Sequence, residues 1–509
     1  MLDVSSRLPG GSPTASSARL ASHSLSRTFA IAAVIVIAFG TIVRLRQYTA
    51  RTSFWRDEAF VVLNVRQLTA IQLVGKLNWD QAAAPLFLWS LRAMHLIAGD
   101  SELSLRLVPL LSGLLALLAF AILAWRALPP PAAFFTIGLL TLDHRLVEYS
   151  AQVKQYSGDV LVSSLILLAA FARADSTPLR RLTAAAIVAA VTVWFSHTAA
   201  IVFGAVSLVL TFQCFHHGAR QLIAALLCNV LFGVSLLALY FLSIRRQHTD
   251  FLYIYWAHAF PDWNHPRTVL PWLASQLFKL FQTPYRWPGV LLITFAILAI
   301  PWARRDPRRD LYAACAATIA LVAVAALSRQ YPLDTTGRLS LFLMPALYLL
   351  CGAGAAMLWE LLPTPYRPAW WILPAAVLGT GLITSTHRLI QPSYQSHIRP
   401  AVQYVQKHRQ PGEALIFAGV PTKTGGWKSA INGRQLEAFC YWPNPRSPLY
   451  TVINSPDDVR EKRFWILAAF PSHELKQLDP VLDPFRKIAD EKHRFTVDKG
   501  GIAILFERR

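Results

Sequence analysis

Long apolar runs separated by short polar stretches fill the first three quarters of this chain. A bilayer core of about 30 Å takes roughly 20 residues of helix. On that measure the runs predict spans at Phe29–Val43, Leu107–Leu128, Ala132–Leu146, Val160–Ala172, Leu182–Phe195, Thr198–Phe215, Leu222–Ile244, Gly289–Ala303, Leu311–Leu327, Leu339–Leu362 and Trp370–Thr386. That is about eleven, within a range of about ten to thirteen, because several are short and the two meeting at Ser196-His197 can fuse or break differently. Residues 1–28 are rich in Ser, Ala, Gly and Pro with Arg7, Arg19 and Arg27, a flexible basic tail. The first apolar run has no convincing small-residue cleavage site after it and reads as a signal anchor.

Past residue 390 the pattern becomes that of a soluble segment. Residues 391–509 predict a helix over His397–His408, strands over Ala414–Phe417 and Phe464–Ala469, a helix over Glu474–Glu491 and a closing strand over Ile502–Glu507. A small α/β domain of about 115 residues can hold one core. No catalytic signature stands out in it.

Composition agrees. Apolar residues make up 54% of the chain and charged residues 15%, and mean hydropathy is +0.39. Soluble domains carry roughly 25% charged residues, so several soluble domains are excluded, and so is disorder. The fold class is a polytopic α-helical membrane protein with a C-terminal extracytoplasmic α/β domain. Five cysteines without metal-ligand or CxxC spacing support neither a zinc nor a redox site. The net charge of +21 would indicate nucleic acid on a soluble protein. On a membrane protein it indicates lipid headgroups and anionic lipid-linked substrates instead.

Arg173, Arg180, Arg181, Arg304, Arg305, Arg308 and Arg309 crowd short loops on one side, with Arg126, Arg220 and Arg367. The positive-inside rule makes that side, and the N-terminus, cytoplasmic. An odd number of spans then puts the C-terminal domain outside, in a multi-pass protein of the plasma (inner) membrane. The outer face is basic too, through Arg44, Arg46, Arg51 and Arg56, and asks for an anion.

The outer loop 48–106 is too long for a plain connection. It opens with Phe54-Trp55-Arg56-Asp57-Glu58-Ala59, continues through an interfacial helix expected over Phe60–Leu77, and contains a second apolar stretch, Pro85–Ala98, too short to span and read as interfacial or re-entrant. On a helix Asp57 and Glu58 point about 100° apart, so one can face a substrate while the other contacts protein. The plain alternative is an acidic helix N-terminus, favoured by the macrodipole.

Together with Ala84-Pro85-Leu86, Gly99-Asp100-Ser101-Glu102 and Arg106-Leu107-Val108-Pro109, this opening resembles the first luminal loop of the GT-C glycosyltransferases. It is similar in particular to the glycosyltransferase family 39-like proteins, which include protein O-mannosyltransferases and the lipid A aminoarabinose transferase. The resemblance covers residues 29–390 and is strongest over 54–109. It implies a polyprenyl-phosphate sugar donor, an acidic Asp-Glu pair (Asp57 and Glu58) at the catalytic centre, and an inverting single displacement. A divalent metal is compatible with it but not required, and no other cofactor is implied.

The loop from Asp143 to Ser157 resembles the second outer loop of the same family, in which a basic residue and a tyrosine meet the donor phosphate. Lys154 and Tyr156 are the residues that match, with His144, Arg145, Glu148 and Gln155 as further substrate contacts beside Arg56 and Arg92. Arg338 closes Tyr331-Pro332-Leu333-Asp334-Thr335-Thr336-Gly337-Arg338 and is expected to begin the next helix. A cation there runs against the dipole and points to an external anion. The loop Arg245–Trp287 is long, basic and aromatic, with Tyr253, Tyr255, Trp256, Trp263, Trp272 and Trp287 suited to an interfacial belt or to sugar stacking.

The function expected is an integral membrane glycosyltransferase with Asp57 as base and Lys154, Tyr156 and Arg338 on the donor phosphate. The acceptor, whether glycan, lipid or protein, is left open. A transporter or flippase would carry its charges at mid-membrane in related halves, and a non-catalytic envelope assembly protein would use the soluble domain to bind a partner.

Overall fold

The structure, a computed structural model, describes residues 15–99, 101–173, 175–333, 337–395, 397–418, 456–469, 479–497 and 501–509. Helix α1 (Ala15–Thr49) leads into the loop region with α2 (Arg56–Gln67) and α3 (Pro85–Ala98). The bundle follows: α4 (Glu102–Ala127), α5 (Pro130–Leu142), the short α6 (His144–Tyr149), α7 (Tyr156–Phe171), α8 (Pro178–Thr192), α9 (Ala199–His216) and α10 (Ala219–Leu239). After two short pieces, α11 (Arg245–Gln247) and α12 (Asp250–Tyr255), come α13 (Val269–Tyr285), α14 (Leu291–Arg305), α15 (Arg309–Leu327), α16 (Met344–Leu361) and α17 (Ile372–Ile390).

Every expected span falls on a helix. By length and composition eight helices among the described residues are long and apolar enough to cross a membrane. The expected spans at Ala132–Leu146, Val160–Ala172 and Leu182–Phe195 lie on α5, α7 and α8, of 13, 16 and 15 residues. The first of these stops early because Asp143 breaks it: its carboxylate accepts the Arg145 N–H at 3.0 Å and N-caps α6.

Burial separates the centre of the bundle from its rim. The apolar window of α16 is 89% buried and that of α10 only 17%, with Leu227, Val230 and Val234 facing outward. α16 can sit at the centre because small residues let backbones approach. At Gly354 a Cβ would overlap the Phe295 carbonyl of α14, the close packing typical of membrane helices. Arg44, counted above toward a basic outer face, is buried in the packing of α1 on α5. It donates to the Thr141 carbonyl at 3.0 Å, satisfying the end of α5.

The loop departs from expectation between residues 60 and 77. One continuous helix does not form; α2 ends at Gln67 and two short turns follow, Gln72–Val74 and Asn78–Asp80. Asn64 explains the fold-back, since its Oδ1 accepts the Asn78 N–H at 2.8 Å and its Nδ2 donates to the Asn78 carbonyl at 3.1 Å. α3 matches its expected limits. It opens on Pro85, whose fixed φ suits a first turn, and ends at Gly99 with φ +75°.

The C-terminal domain contains α18 (Arg399–His408), β1 (Ala414–Ala418), β2 (Arg463–Ala469), α19 (Asp479–Ile488), β3 (Ala489–Val497) and β4 (Gly501–Arg508). The strands lie in the order β1-β2-β4-β3, the first pair parallel and the others antiparallel. β3 corrects the expectation of a helix to Glu491; residues 470–478, which include the expected helix start, lie outside the described set. β3 is an edge strand with five successive exposed residues from Asp490 to Arg494. Its charges read as a helix face, whereas a charged edge is what keeps a sheet from pairing further.

One face of this sheet packs with α18 on the membrane part. Ile398, Val402, Leu415, Leu467 and Leu505 share an apolar cluster with Phe54, Leu73, Leu88 and Val153 of the loops. The contact is pinned by polar groups: Arg399 pairs with Glu102, and the Ser53 N–H donates to His397 Nδ1 at 3.2 Å.

Candidate active site

α2 presents its first turn to two different surroundings. Glu58, at the third position of the helix, is fully buried. It takes a bidentate contact from Arg106, Nε to Oε1 at 2.9 Å and Nη2 to Oε2 at 2.7 Å. The Val153 N–H adds a bond to Oε1 at 2.7 Å, and the Trp55 N–H one to Oε2 at 3.2 Å. The remaining guanidinium donors of Arg106 go to the Thr52 and Ser53 carbonyls at 2.7 and 3.1 Å. With four donors on two oxygens, the carboxylate is fixed in place inside the protein. It joins α2, α4 and the loop before α7.

Asp57, one residue earlier and about 100° round the helix, keeps 21% of its side chain exposed. Its Oδ2 accepts from Arg338 Nη1 at 3.0 Å. Arg338 lies over the Trp256 ring at 4.9 Å, and its Nη2 is 3.3 Å from the Tyr255 hydroxyl. Two of the six aromatics named in the 245–287 loop thus wall one side of this ion pair.

Arg338 does not open a helix as expected. It lies in the turn before Leu341, and residues 334–336 lie outside the described set. In this structure the anion it meets is internal, the Asp57 carboxylate.

Lys154 is buried, and its ammonium donates to Gln81 Oε1 at 2.9 Å. Burial pushes its pKa below that of an ordinary lysine; Asp57 pulls it back, Arg338 adds to the fall and Glu58 again opposes it. Lys154 is thus within electrostatic reach of both Asp57 and Arg338. Tyr156 is also buried, edge-on to Tyr149 at 5.0 Å between centroids, and within electrostatic reach of Arg338 and Asp57. Asp57 and Arg338 therefore pair although they are 281 residues apart, with Lys154 and Tyr156 within electrostatic reach of both.

The other expected contacts are placed differently. Arg92 donates to the carbonyls of Val65 and Leu68 at 2.7 and 2.6 Å, capping the end of α2. His144 Nδ1 donates to the Pro284 carbonyl at 3.0 Å. Glu148 accepts from Gln395 at 2.8 Å, Ser393 at 3.1 Å and Arg388 at 3.4 Å, tying the end of α17 and the chain beyond it to α6. Arg145 lies on Asp143, Nη2 to Oδ2 at 2.8 Å, and Asp143 also accepts from Tyr348 at 2.8 Å. The Gln155 carbonyl accepts the Asp159 N–H at 2.9 Å, within the first turn of α7. The Arg56 side chain lies outside the described set.

Sequence reasoning did not single out Gln81 as the partner of Lys154, nor Arg106 as that of Glu58. No motif flags Gln81, whereas Arg106 stood in a quoted motif without a role. Asp159 was also missed; it is buried at the start of α7 and accepts from Ser196 Oγ at 2.6 Å. No group of three or more His, Cys, Asp or Glu that could hold a metal ion occurs among the described residues.

Helix order, the outer loop with its two short helices and the C-terminal sheet domain define a multi-pass membrane protein with the GT-C glycosyltransferase fold. Among solved structures it is similar to ArnT from Cupriavidus metallidurans bound to undecaprenyl phosphate, with 14% identity and a TM-score of 0.53 over 93% of this chain and 97% of that one. The apo state of the same ArnT gives a TM-score of 0.51 at 14% identity over the same shares. No family model matches the sequence, and no curated protein matches it either.

Proposed function

We propose that this protein transfers a sugar from a polyprenyl-phosphate donor to an acceptor on the extracytoplasmic face of the plasma membrane. The observation that carries the reading is the unequal fate of the two adjacent carboxylates: Glu58 is consumed by protein, while Asp57 stays partly open, pairs with Arg338 and lies within electrostatic reach of Lys154. The fold, shared with an ArnT bound to undecaprenyl phosphate, supports the donor class.

In the proposed reaction the acceptor oxygen attacks the anomeric carbon from the face opposite the phosphate. The carbon–oxygen bond to the phosphate breaks, and its electron pair leaves with the polyprenyl phosphate. The acceptor proton passes to Asp57. Attack and departure on opposite faces invert the anomeric centre. Lys154 and Arg338 balance the charge of the departing phosphate, with Tyr156 as a further donor. Arg338 holds Asp57 before donor arrives, so phosphate and carboxylate compete for one guanidinium, and donor binding frees the base.

The test uses purified protein and a labelled polyprenyl-phosphate sugar, with release of free polyprenyl phosphate as readout. Asp57→Asn is nearly isosteric but cannot take the proton, and loss of a general base costs ~10²–10⁴-fold in rate. Full transfer by correctly inserted Asp57→Asn protein overturns the mechanism.

A further inference from the structure

The loop between α2 and α3 holds a residue that the transfer reaction above does not use. Gln81 is half-buried there. Its Oε1 accepts from the Lys154 ammonium at 2.9 Å, and its Nε2 donates to the Trp79 carbonyl at 3.1 Å. The amide is therefore fixed in one orientation, with its oxygen toward the cation.

The backbone just before it is strained. Trp79 and Asp80 are consecutive non-glycine residues at φ +57° and +51°. Residues with a Cβ adopt that region rarely, and keep it where their surroundings impose it. Here the constraint comes from both sides. Asn78 is clasped by Asn64, and the Trp79 ring stacks on Phe60 at 6.1 Å between centroids. Beyond Gln81, the Ala83 N–H donates to Gln247 Oε1 at 2.9 Å. Gln247 is itself buried, and its Nε2 donates to Ser243 Oγ at 3.0 Å. Gln81 thus lies between two clamps, one from α2 and one from α11.

The choice of an amide has a physical consequence. An ammonium carries three N–H groups, and Gln81 takes one of them. The charged groups that act on Lys154 are Asp57, Arg338 and Glu58. Both carboxylates are already bound, Asp57 to Arg338 and Glu58 to Arg106. An amide oxygen directs a cation without neutralising it, so the charge stays available to an arriving phosphate. A carboxylate in the same place would cancel that charge and repel the phosphate.

We infer that Gln81 is a positioning residue for the donor: it fixes the Lys154 ammonium for the donor phosphate and leaves its charge uncancelled. This rests on the proposed role of Lys154 at that phosphate.

The test is binding of radiolabelled undecaprenyl phosphate to the full-length protein in phosphatidylcholine nanodiscs, measured from about pH 7 to 10. Gln81→Glu keeps the shape and adds a carboxylate. It should weaken binding about tenfold near neutral pH, the size of one lost charge-assisted contact. It should also move the alkaline loss of binding to higher pH, because the carboxylate holds the Lys154 proton. Gln81→Ala, at a half-buried position, keeps the test open if the added charge impairs folding. It should weaken binding several-fold in the Lys154 protein and leave it unchanged in the Lys154→Gln protein, as expected of a residue that acts through another. Equal weakening by Gln81→Ala in both backgrounds overturns the inference and leaves a structural glutamine. So does a Gln81→Glu protein with unchanged affinity and an unchanged alkaline limb. Lys154→Gln that binds at the unmodified level overturns the role of Lys154 and this inference together, while Asp57 keeps its own assay.

Discussion

Neighbouring carboxylates with opposite surroundings make separable predictions at the residue scale. Glu58→Gln removes one charge from a buried pair and leaves Arg106 unbalanced. Breaking such a pair costs roughly 3–5 kcal/mol, so the expected outcome is a clear fall in melting temperature of the purified protein. Asp57→Asn, by contrast, should melt close to the unmodified protein, because its pair with Arg338 is partly solvated. Lys154 makes a prediction in pH. Burial favours its neutral form, so kcat/KM of the free enzyme should fall on the alkaline side at lower pH than an ordinary lysine would give. Lys154→Arg, which stays charged at any pH tested, should move that limb upward. A limb that does not move between the two proteins would remove Lys154 from the phosphate contact.

The helix that carries Asp57 is bounded by contacts at both ends, so the element scale turns on helix termini and breaks. Arg92 was expected at the substrate and instead holds the last carbonyls of α2. Arg92→Met keeps the apolar stem and loses two charge-assisted bonds, at a cost of roughly 1.5–3 kcal/mol. The expected outcome is faster proteolysis of the 68–84 segment, with a lower transfer rate at saturating donor. Unchanged cleavage there would mean that Asn64 alone holds the fold-back. Helix limits were legible wherever a terminator is written locally, as with Pro85 and Gly99 for α3. They were misjudged where a distant group supplies the break, as at Gln67, or where pairing with β4 outweighs the helical reading of residues 489–491.

The C-terminal domain rests on the loops of the candidate site, which ties stability to pH across the whole molecule. His397 Nδ1 accepts from Ser53, so the ring must be neutral there. Burial pushes its pKa from 6.5 down to about 4, with Arg399 and then Arg106 adding to the shift. Between those values the unfolded chain binds more protons than the folded one, so stability rises with pH across that window. It is fully present above about pH 6.5 and is lost as pH falls toward 4. His397→Asn should flatten this dependence, measured as melting temperature from pH 4 to 8. A dependence of the same size in the variant would assign it to other groups.

The sequence by itself determined the class of protein, the position of the apolar helices and the loop that carries the acidic pair. Hydrophobic periodicity and span length are local quantities, and each stretch of chain reports them without its neighbours. It also brought Asp57, Lys154, Tyr156 and Arg338 onto one list through motif resemblance. Only the tertiary structure decided which carboxylate is available, because Glu58 is silenced by Arg106 and by the Val153 amide, 48 and 95 residues away. It likewise sent Arg92 to a helix end and Glu148 to the base of α17, and paired Arg338 with Asp57. A charged side chain states its need for a partner in the sequence, but the partner is chosen by packing, and packing is a property of the folded chain.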